Sequence, residues 1–234
     1  MSVIEKVSMF LYTLALGASN RKVHERFQHS GETVSRYFNE VLRSVCLLAI
    51  DLIKSVDPEF STTPMEIAMN PRYMPQFKNC IGVIDGTHAH ACVSQENQIP
   101  FIGRKGVLAQ NIMTTCSFDM QFTFVWAGWE GSAHNTRIFL EAIDNLNIRF
   151  LKPLEGQLQS QEEIFNCVHS LLRCVIEHTF EVWKKRWRIL QNMPVFPCKT
   201  QVQIVVASMT LHKYIRRKSI QDVAFNEFDH HPDF

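Results

Sequence analysis

The chain has 234 residues, of which 46% are hydrophobic and 20% are charged. That length and apolar content suffice for one domain with a substantial core and a small appendage, and they exclude a largely disordered chain. Lys and Arg number 24 against 23 for Asp and Glu, so no overall field would hold a polyanion or a membrane surface. Contacts with nucleic acid must therefore come from local basic patches.

The cysteines and the longest apolar stretches restrict the compartment. Seven cysteines are scattered without a CxxC pair, which predicts reduced thiols in the cytosol or the nucleus. No apolar stretch reaches the roughly 20 residues that a bilayer span needs, so we expect no contact with a membrane.

The first 55 residues have the apolar period of helices. We predict three helices: one from Val3, a second over residues 20–27 that is capped by Ser19, and a third after Gly31. Two short helices joined by a Gly-containing turn have the outline of a helix-turn-helix, although hairpins that merely pack are commoner. The predicted outward side of the third helix is polar and consists of Glu32, Ser35, Arg36, Asn39 and Arg43.

The rest of the chain changes from a proline-interrupted stretch to strands and then to helices. Four prolines interrupt residues 56–78, which predicts a linker. Strands are then predicted over 80–84, 88–93, 110–117 and 122–126, with a turn at Asp119-Met120, as in an antiparallel meander. Helical periodicity returns over 136–145, 165–189 and 201–215. Strands followed by helices indicate an α+β domain.

Two acidic residues, Asp85 and Glu177, occupy positions where metal ligands can occur. Asp85 ends an apolar run, and an acid at the end of a strand lies at the rim of a sheet, where ligands bind. Such an aspartate is more often a turn former or a helix cap. Glu177 lies on the flank of a predicted helix four residues after Arg173, a spacing typical of an exposed ion pair. For both residues, a role as a metal ligand and an ordinary structural role stay open at this point.

Several motifs occur in a fixed order along the chain. In that order they resemble the transposase-derived nucleases of the PIF/Harbinger group, and the resemblance covers most of the chain. It implies an α+β fold with an RNase-H-like DDE nuclease core over residues 79–218, an all-helical head over 1–55, a linker over 56–78 and a tail over 219–234. The motifs are Ile84-Asp85-Gly86-Thr87-His88, Gly103-Arg104-Lys105-Gly106 with Gln110-Asn111, Phe118-Asp119-Met120, the run from Ala127 to His134, Phe165-Asn166, His169-Ser170, Arg173, Ile176-Glu177 and the run from Lys185 to Leu190. The segment from Ser30 to Phe38 is similar to the helical head of plant members.

The resemblance also implies metal-dependent hydrolysis of DNA, and it implies that one of the acids this reaction requires is missing. In that family three acids hold two divalent cations, Mg or Mn, for hydrolysis of DNA phosphodiester bonds. Matched by motif, Asp85 is the first ligand and Glu177 the last, whereas Asn135 stands at a second-acid position where the family usually has aspartate. The family's central strand, of the type Leu-Val-Asp-Ala-Gly-Tyr, is the other place that could supply the second acid, and it is expected to be lost with a segment of roughly 20 to 40 residues between Phe150 and Phe165. Whichever of the two positions supplies the second ligand, its carboxylate is absent. The resemblance therefore implies a weak or inactive nuclease.

Other residues near the implied site receive ordinary interpretations. Asp119, Asp144, Glu162 and Glu163 could replace the missing carboxylate in principle, but ordinary turn and surface roles are favoured for them. His88, His90 and His134 lie close to the motifs, yet buried and turn histidines are commoner than metal ligands. We therefore leave the histidines out of the predicted metal site.

Basic residues indicate where a polyanion could bind. Such clusters suit contacts with phosphates, but a solvated helix face is an equally good explanation. With the resemblance, they imply DNA as a partner, a chromatin or Myb-like protein as a further partner, and a location in the nucleus. The alternative function is that of a domesticated, non-catalytic protein that binds DNA or a chromatin complex. A third explanation concerns the deletion itself, which could be an artefact of the gene model. The predicted nucleic-acid-binding residues are Arg36, Arg104, Lys105, Lys184, Lys185 and Arg186.

Overall fold

The computed structural model describes residues 1–225 except for positions 58, 60, 72, 76, 79, 104–105, 147–161 and 219–221, and for 143–146 and 162–172 it describes the backbone alone. Arg104 and Lys105, and most of the segment where the deletion is predicted, lie outside these residues. In the part that is described, no helix has both the length and the apolar content that crossing a membrane requires.

The first three helices form the predicted head: α1 (Val3–Leu16), α2 (Asn20–Phe27) and α3 (Gly31–Leu52). Each follows a serine whose hydroxyl accepts a backbone N–H from the first turn, and this contact satisfies one donor that the helix itself leaves unpaired. The three predicted helices and the Ser19 cap are confirmed. The five residues predicted on the outer side of α3 are all exposed.

Within the described residues the sheet has three antiparallel strands, β1 (Val83–His90), β2 (Ala109–Cys116) and β3 (Phe122–Glu130), in the order β1-β2-β3. The predicted meander is confirmed, and so is the turn at Asp119-Met120, where Met120 has a φ of 64°. The prediction of two separate strands over 80–84 and 88–93 is wrong. One strand replaces them, because its ladder with β2 continues unbroken through the polar residues in its middle.

Helices cover the sheet and complete the α+β fold. A short helix, α4 (Met65–Ala68), precedes the sheet, and α5 (Asn135–Leu146), α6 (Glu162–Arg186) and α7 (Cys198–Lys218) follow it. The α6 helix packs along β1, α5 begins against β2, and α7 packs on β3. Because side chains alternate across a strand, β1 presents Asp85 and Thr87 toward α6 and Gly86 and His88 toward the start of α5.

One hydrophobic core joins the head, the sheet and the C-terminal helices. It contains Phe10 and Phe38 from the head, Phe122 from β3, Trp183 from α6 and Ile204 from α7. Full burial of each such side chain contributes roughly 1.5–3 kcal/mol. The proline-rich segment also adds to this core through Ile67, Tyr73 and Phe77. The head is therefore fixed relative to the sheet that carries the acidic residues.

Two ionisable side chains of α7 are fully buried. His212 lies between the rings of Phe122 and Phe225, and its Nε2 atom is 3.0 Å from the carbonyl oxygen of Met120. Lys213 donates to the carbonyl oxygens of Lys54, at 2.8 Å, and Phe122, at 3.0 Å, and so ties the end of α3 to the start of β3. Burial lowers the pKa of His212 to about 3 and that of Lys213 to about 8.

We expect acid to destabilise the protein through His212. The pKa of about 3 in the folded state lies below the roughly 6.5 of an unfolded chain, so the folded state binds fewer protons between those values. The stabilisation is therefore complete above pH ~6.5 and is lost as the pH falls toward 3, with a loss of about 3 kcal/mol at pH ~4.5. Urea unfolding at neutral and acidic pH should show a smaller acid loss in His212→Gln, whose amide can still donate to Met120. Equal pH dependence in both proteins would contradict this assignment.

Candidate functional site

Two acidic side chains from distant parts of the chain meet at one arginine. Arg173 on α6 donates to Oδ2 of Asp85 on β1 from Nη2, at 3.0 Å, and from Nε, at 3.2 Å. The same Nε lies 3.3 Å from Oε1 of Glu177, one helical turn further along α6. Asp85 and Glu177, the two predicted ligands, are therefore brought together on a single guanidinium group.

The surroundings of the three side chains differ. The side chain of Asp85 is only 16% exposed, whereas those of Arg173 and Glu177 are 53% and 54% exposed. The ion pair expected of Arg173 and Glu177 is present. The expectation that Asp85 ends a strand and forms a turn or caps a helix is wrong, because Asp85 lies inside β1, where it accepts the N–H of Gly86 at 2.7 Å. The further contact between Arg173 and Asp85 joins the three side chains into one site, which we call the acid bridge (Asp85, Arg173 and Glu177).

Asn135, the first residue of α5, reaches the acid bridge from the opposite face of β1. Its Nδ2 is 3.4 Å from Oδ1 of Asp85, and its Oδ1 accepts from Nδ2 of Asn111 at 3.1 Å. It lies directly on the backbone of Gly86, where an added Cβ would come within 2.3 Å of its side-chain oxygen. The residue at the predicted second-acid position thus contacts the first acid through an uncharged amide.

The acid bridge does not fit a pair of divalent cations. Mg²⁺ and Mn²⁺ prefer several oxygen ligands, and two such ions close together need carboxylates to balance their charge. Among the described residues, no three His, Cys, Asp or Glu side chains are grouped so that they could hold a metal ion. Oδ2 of Asp85 and Oε1 of Glu177 already contact a cation, Arg173. The site is arranged as an ion-pair network.

The other acidic candidates are not at this site as far as their side chains are described. Asp119 bonds Ser117 and Gln121 inside the β2–β3 turn, as expected for a turn residue. Asp144 belongs to α5 and Glu162 and Glu163 to the start of α6, but these three side chains lie outside the described part. Asp119 therefore has the ordinary role that was favoured for it.

A cleft of about 740 Å³ opens beside the acid bridge. Its walls come from four stretches of the chain: β1 from Gly86 to His90, residues 131–136 leading into α5, residues at the end of α6 and just after it, and the stretch that contributes Gly103, Val107, Ala109 and Asn111. Asn135 belongs both to the wall of the cleft and to the contact with Asp85. The three histidines noted in the sequence, His88, His90 and His134, all line this cleft and not the acid bridge.

The predicted nucleic-acid-binding residues differ in their surroundings. Arg36 is exposed on α3 with its guanidinium 4.9 Å from the centre of the Tyr37 ring, and Lys185 is exposed on α6. Lys184 lines the cleft and donates to the hydroxyl of Thr87 at 2.6 Å. Arg186 is paired with Asp222 and packs against the ring of Phe225, so its charge is partly balanced within the protein. Arg104 and Lys105 lie outside the described residues.

Sequence reasoning missed the partners that organise the site. The spacing of Arg173 and Glu177 predicted their pair, but no local pattern shows that the same guanidinium reaches Asp85. Asn111 and Lys184 appeared only as members of a motif and of a basic cluster. A signal was available for Asn111, because a polar residue in the middle of an otherwise buried strand needs a partner for its amide.

Two family models match parts of the chain. Residues 1–47 match a domain of unknown function (DUF8040), and residues 141–213 match the DDE superfamily endonucleases. No curated protein and no solved structure matches. The second match includes Arg173, Glu177 and the basic end of α6, whereas Asp85 and Asn135 lie before it. It supports a transposase-derived DDE nuclease domain, a type of domain that acts on DNA and generally uses divalent metals.

Proposed function

We propose that this chain is a Harbinger-type, transposase-derived protein of the nucleus that binds DNA and cleaves it weakly or not at all. The observation that carries the proposal is the acid bridge, in which Asp85 and Glu177 share Arg173. Beside it, Asn135 supplies an amide at the predicted second-acid position. Ancestry as a nuclease is supported by the match of residues 141–213.

Charge is the physical reason for weak cleavage. Two divalent cations carry four positive charges, and the acid bridge offers two carboxylates that are already partly neutralised by a guanidinium group. Cations placed there would repel one another and Arg173 with little compensation. An amide oxygen from Asn135 can coordinate a metal ion but adds no charge. Binding of a pair of Mg or Mn ions is therefore unfavourable. Without the pair, the attacking water molecule is not activated, so cleavage is weak.

The test is cleavage of supercoiled plasmid in Mg²⁺ or Mn²⁺ by the wild-type protein and by Asp85→Ala. We expect the two proteins to nick the plasmid at the same low rate, because the first acid has no cation pair to hold. Robust nicking by the wild type that disappears in Asp85→Ala would overturn the proposed impairment.

A second candidate is a domesticated protein that binds DNA or a chromatin complex, together with a Myb-like or similar partner, and performs no catalysis. It is favoured by the exposed polar side of α3, where Arg36 and Arg43 face solvent. Binding through such residues releases counterions, so the affinity should fall steeply as salt is raised in a gel-shift titration. A complete lack of duplex binding would leave only a role in protein assembly.

A further inference from the structure

The side chains that line the cleft beside the acid bridge differ from the acidic residues that metal-dependent cleavage of DNA requires. None of the described residues that line it is an aspartate or a glutamate, and its ionisable side chains are Lys184 and three histidines. Its volume of about 740 Å³ lies within the range of pockets for small molecules. A neutral-to-positive cleft of this size is suited to an anionic ligand larger than a lone phosphate ion.

One end of the cleft offers groups that bind phosphate. Residues 134–136 at the start of α5 line it, and the first turn of this 12-residue helix contains no acidic side chain. The first N–H groups of a helix have no acceptor within the helix and carry partial positive charge, which attracts anions. The ammonium group of Lys184, at the end of α6, also lines the cleft and adds a positive charge to it, while it donates to Thr87.

Polar atoms elsewhere in the wall suit the remainder of such a ligand. Asn111 is 1% exposed, and its Oδ1 has no hydrogen-bond partner among the described residues. Nδ1 of His90 also has no hydrogen-bond partner among them. Both residues line the cleft. A buried carbonyl oxygen without a donor is costly, and an amino or hydroxyl group of a ligand would satisfy it.

We propose that this cleft binds a nucleoside monophosphate, either free or as the 5′-phosphorylated terminal residue of a DNA strand. The phosphate lies at the start of α5 near Lys184, and the nucleoside donates to Asn111. Binding of a phosphorylated ligand does not depend on cleavage, and only the choice of a nucleotide among phosphate esters rests on the proposed function. The site is separate from the acid bridge, and Asn135 of the cleft wall contacts Asp85 of the acid bridge.

The first test is calorimetric titration of the full chain with dAMP in EDTA, which removes any contribution from metal-dependent cleavage. We expect saturable binding of dAMP, and binding at least tenfold weaker for deoxyadenosine, which lacks the phosphate, and for inorganic phosphate, which lacks the nucleoside. Equal binding of deoxyadenosine, or no saturation by dAMP in the millimolar range, would overturn the proposal. A 5′-phosphorylated oligonucleotide compared with its 5′-hydroxyl form shows whether the terminal residue of a strand is accepted.

Variants locate the binding. Lys184→Met keeps the length of the side chain and should weaken dAMP binding at least tenfold, whereas Lys199→Met, a lysine exposed on α7 away from the cleft, should bind as the wild type does. Gln191→Glu is a second test that does not depend on whether Lys184→Met folds. It places a negative charge on an exposed position of the cleft wall and should weaken dAMP binding severalfold. Unchanged affinity in Gln191→Glu, or in a folded Lys184→Met, would contradict the assignment of the cleft. Plasmid nicking by the wild type would overturn the impaired-nuclease proposal and leave this one standing.

Discussion

Asn135→Asp is expected to create a metal site that the wild type lacks. The new carboxylate would stand where the amide now lies 3.4 Å from Oδ1 of Asp85. Without metal, repulsion between the two carboxylates should destabilise the protein by about 1–2 kcal/mol, because Arg173 compensates only part of the added charge. With Mn²⁺, the third carboxylate should raise the affinity for the ion tenfold or more. Thermal unfolding with and without Mn²⁺ measures both effects.

Two further variants make that result specific. Asn135→Ser removes the amide without adding charge, so it should gain no stabilisation from Mn²⁺. Combining Asn135→Asp with Asp85→Ala should abolish the gain, since the ion would lose one of its carboxylates. If Mn²⁺ stabilised the wild type and Asn135→Asp to the same extent, the shortage of carboxylates would not be the reason for weak metal binding.

Gly131→Ala is expected to cost about 3 kcal/mol, at the upper end of the range for overpacking. This glycine directly follows β3, and an added Cβ there would come within 2.4 Å of the carbonyl oxygen of Ala109 and 2.6 Å of that of Phe101. Both obstacles are backbone atoms, so the strand end and the loop around Phe101 would have to separate. Since Gly131 also lines the cleft, the cleft should lose its shape as well. Urea unfolding measures the loss of stability.

Gly103 provides the matched control, because it lines the same cleft but has room for a side chain. A Cβ there would approach other atoms no closer than 3.7 Å, an ordinary contact distance. Gly103→Ala should therefore change the free energy of unfolding by less than about 1 kcal/mol. Equal destabilisation by both substitutions would show that the close approach at Gly131 is not the cause.

The periodicity of the sequence predicts most of the elements because each helix and strand buries one face. The serine caps, the α+β order and the β2–β3 turn follow from such local rules. The same rules fail at β1, where Asp85, Gly86 and Thr87 interrupt the apolar pattern that the prediction followed. Those residues stay in the strand because their partners come from elsewhere: Arg173 for Asp85, Asn135 over Gly86 and Lys184 for Thr87.

The site itself depends on contacts between distant residues, and these are what one sequence does not reveal. Resemblance to a family indicated Asp85, Glu177 and Asn135 as positions of interest, and the fold brings all three close together. It gave no indication that Arg173 would join the two acids, because that contact depends on how α6 lies along β1. The cleft is likewise formed by residues from four separate stretches of the chain.

The most direct test of the account is the number of Mn²⁺ ions that the wild-type chain binds, counted by electron paramagnetic resonance of free and bound Mn²⁺ during a titration. We predict no tightly bound pair, and at most one ion with a dissociation constant in the millimolar range. Two ions bound per chain at micromolar concentration, both lost in Asp85→Ala, would contradict the claim that this site has too few carboxylates for nuclease chemistry.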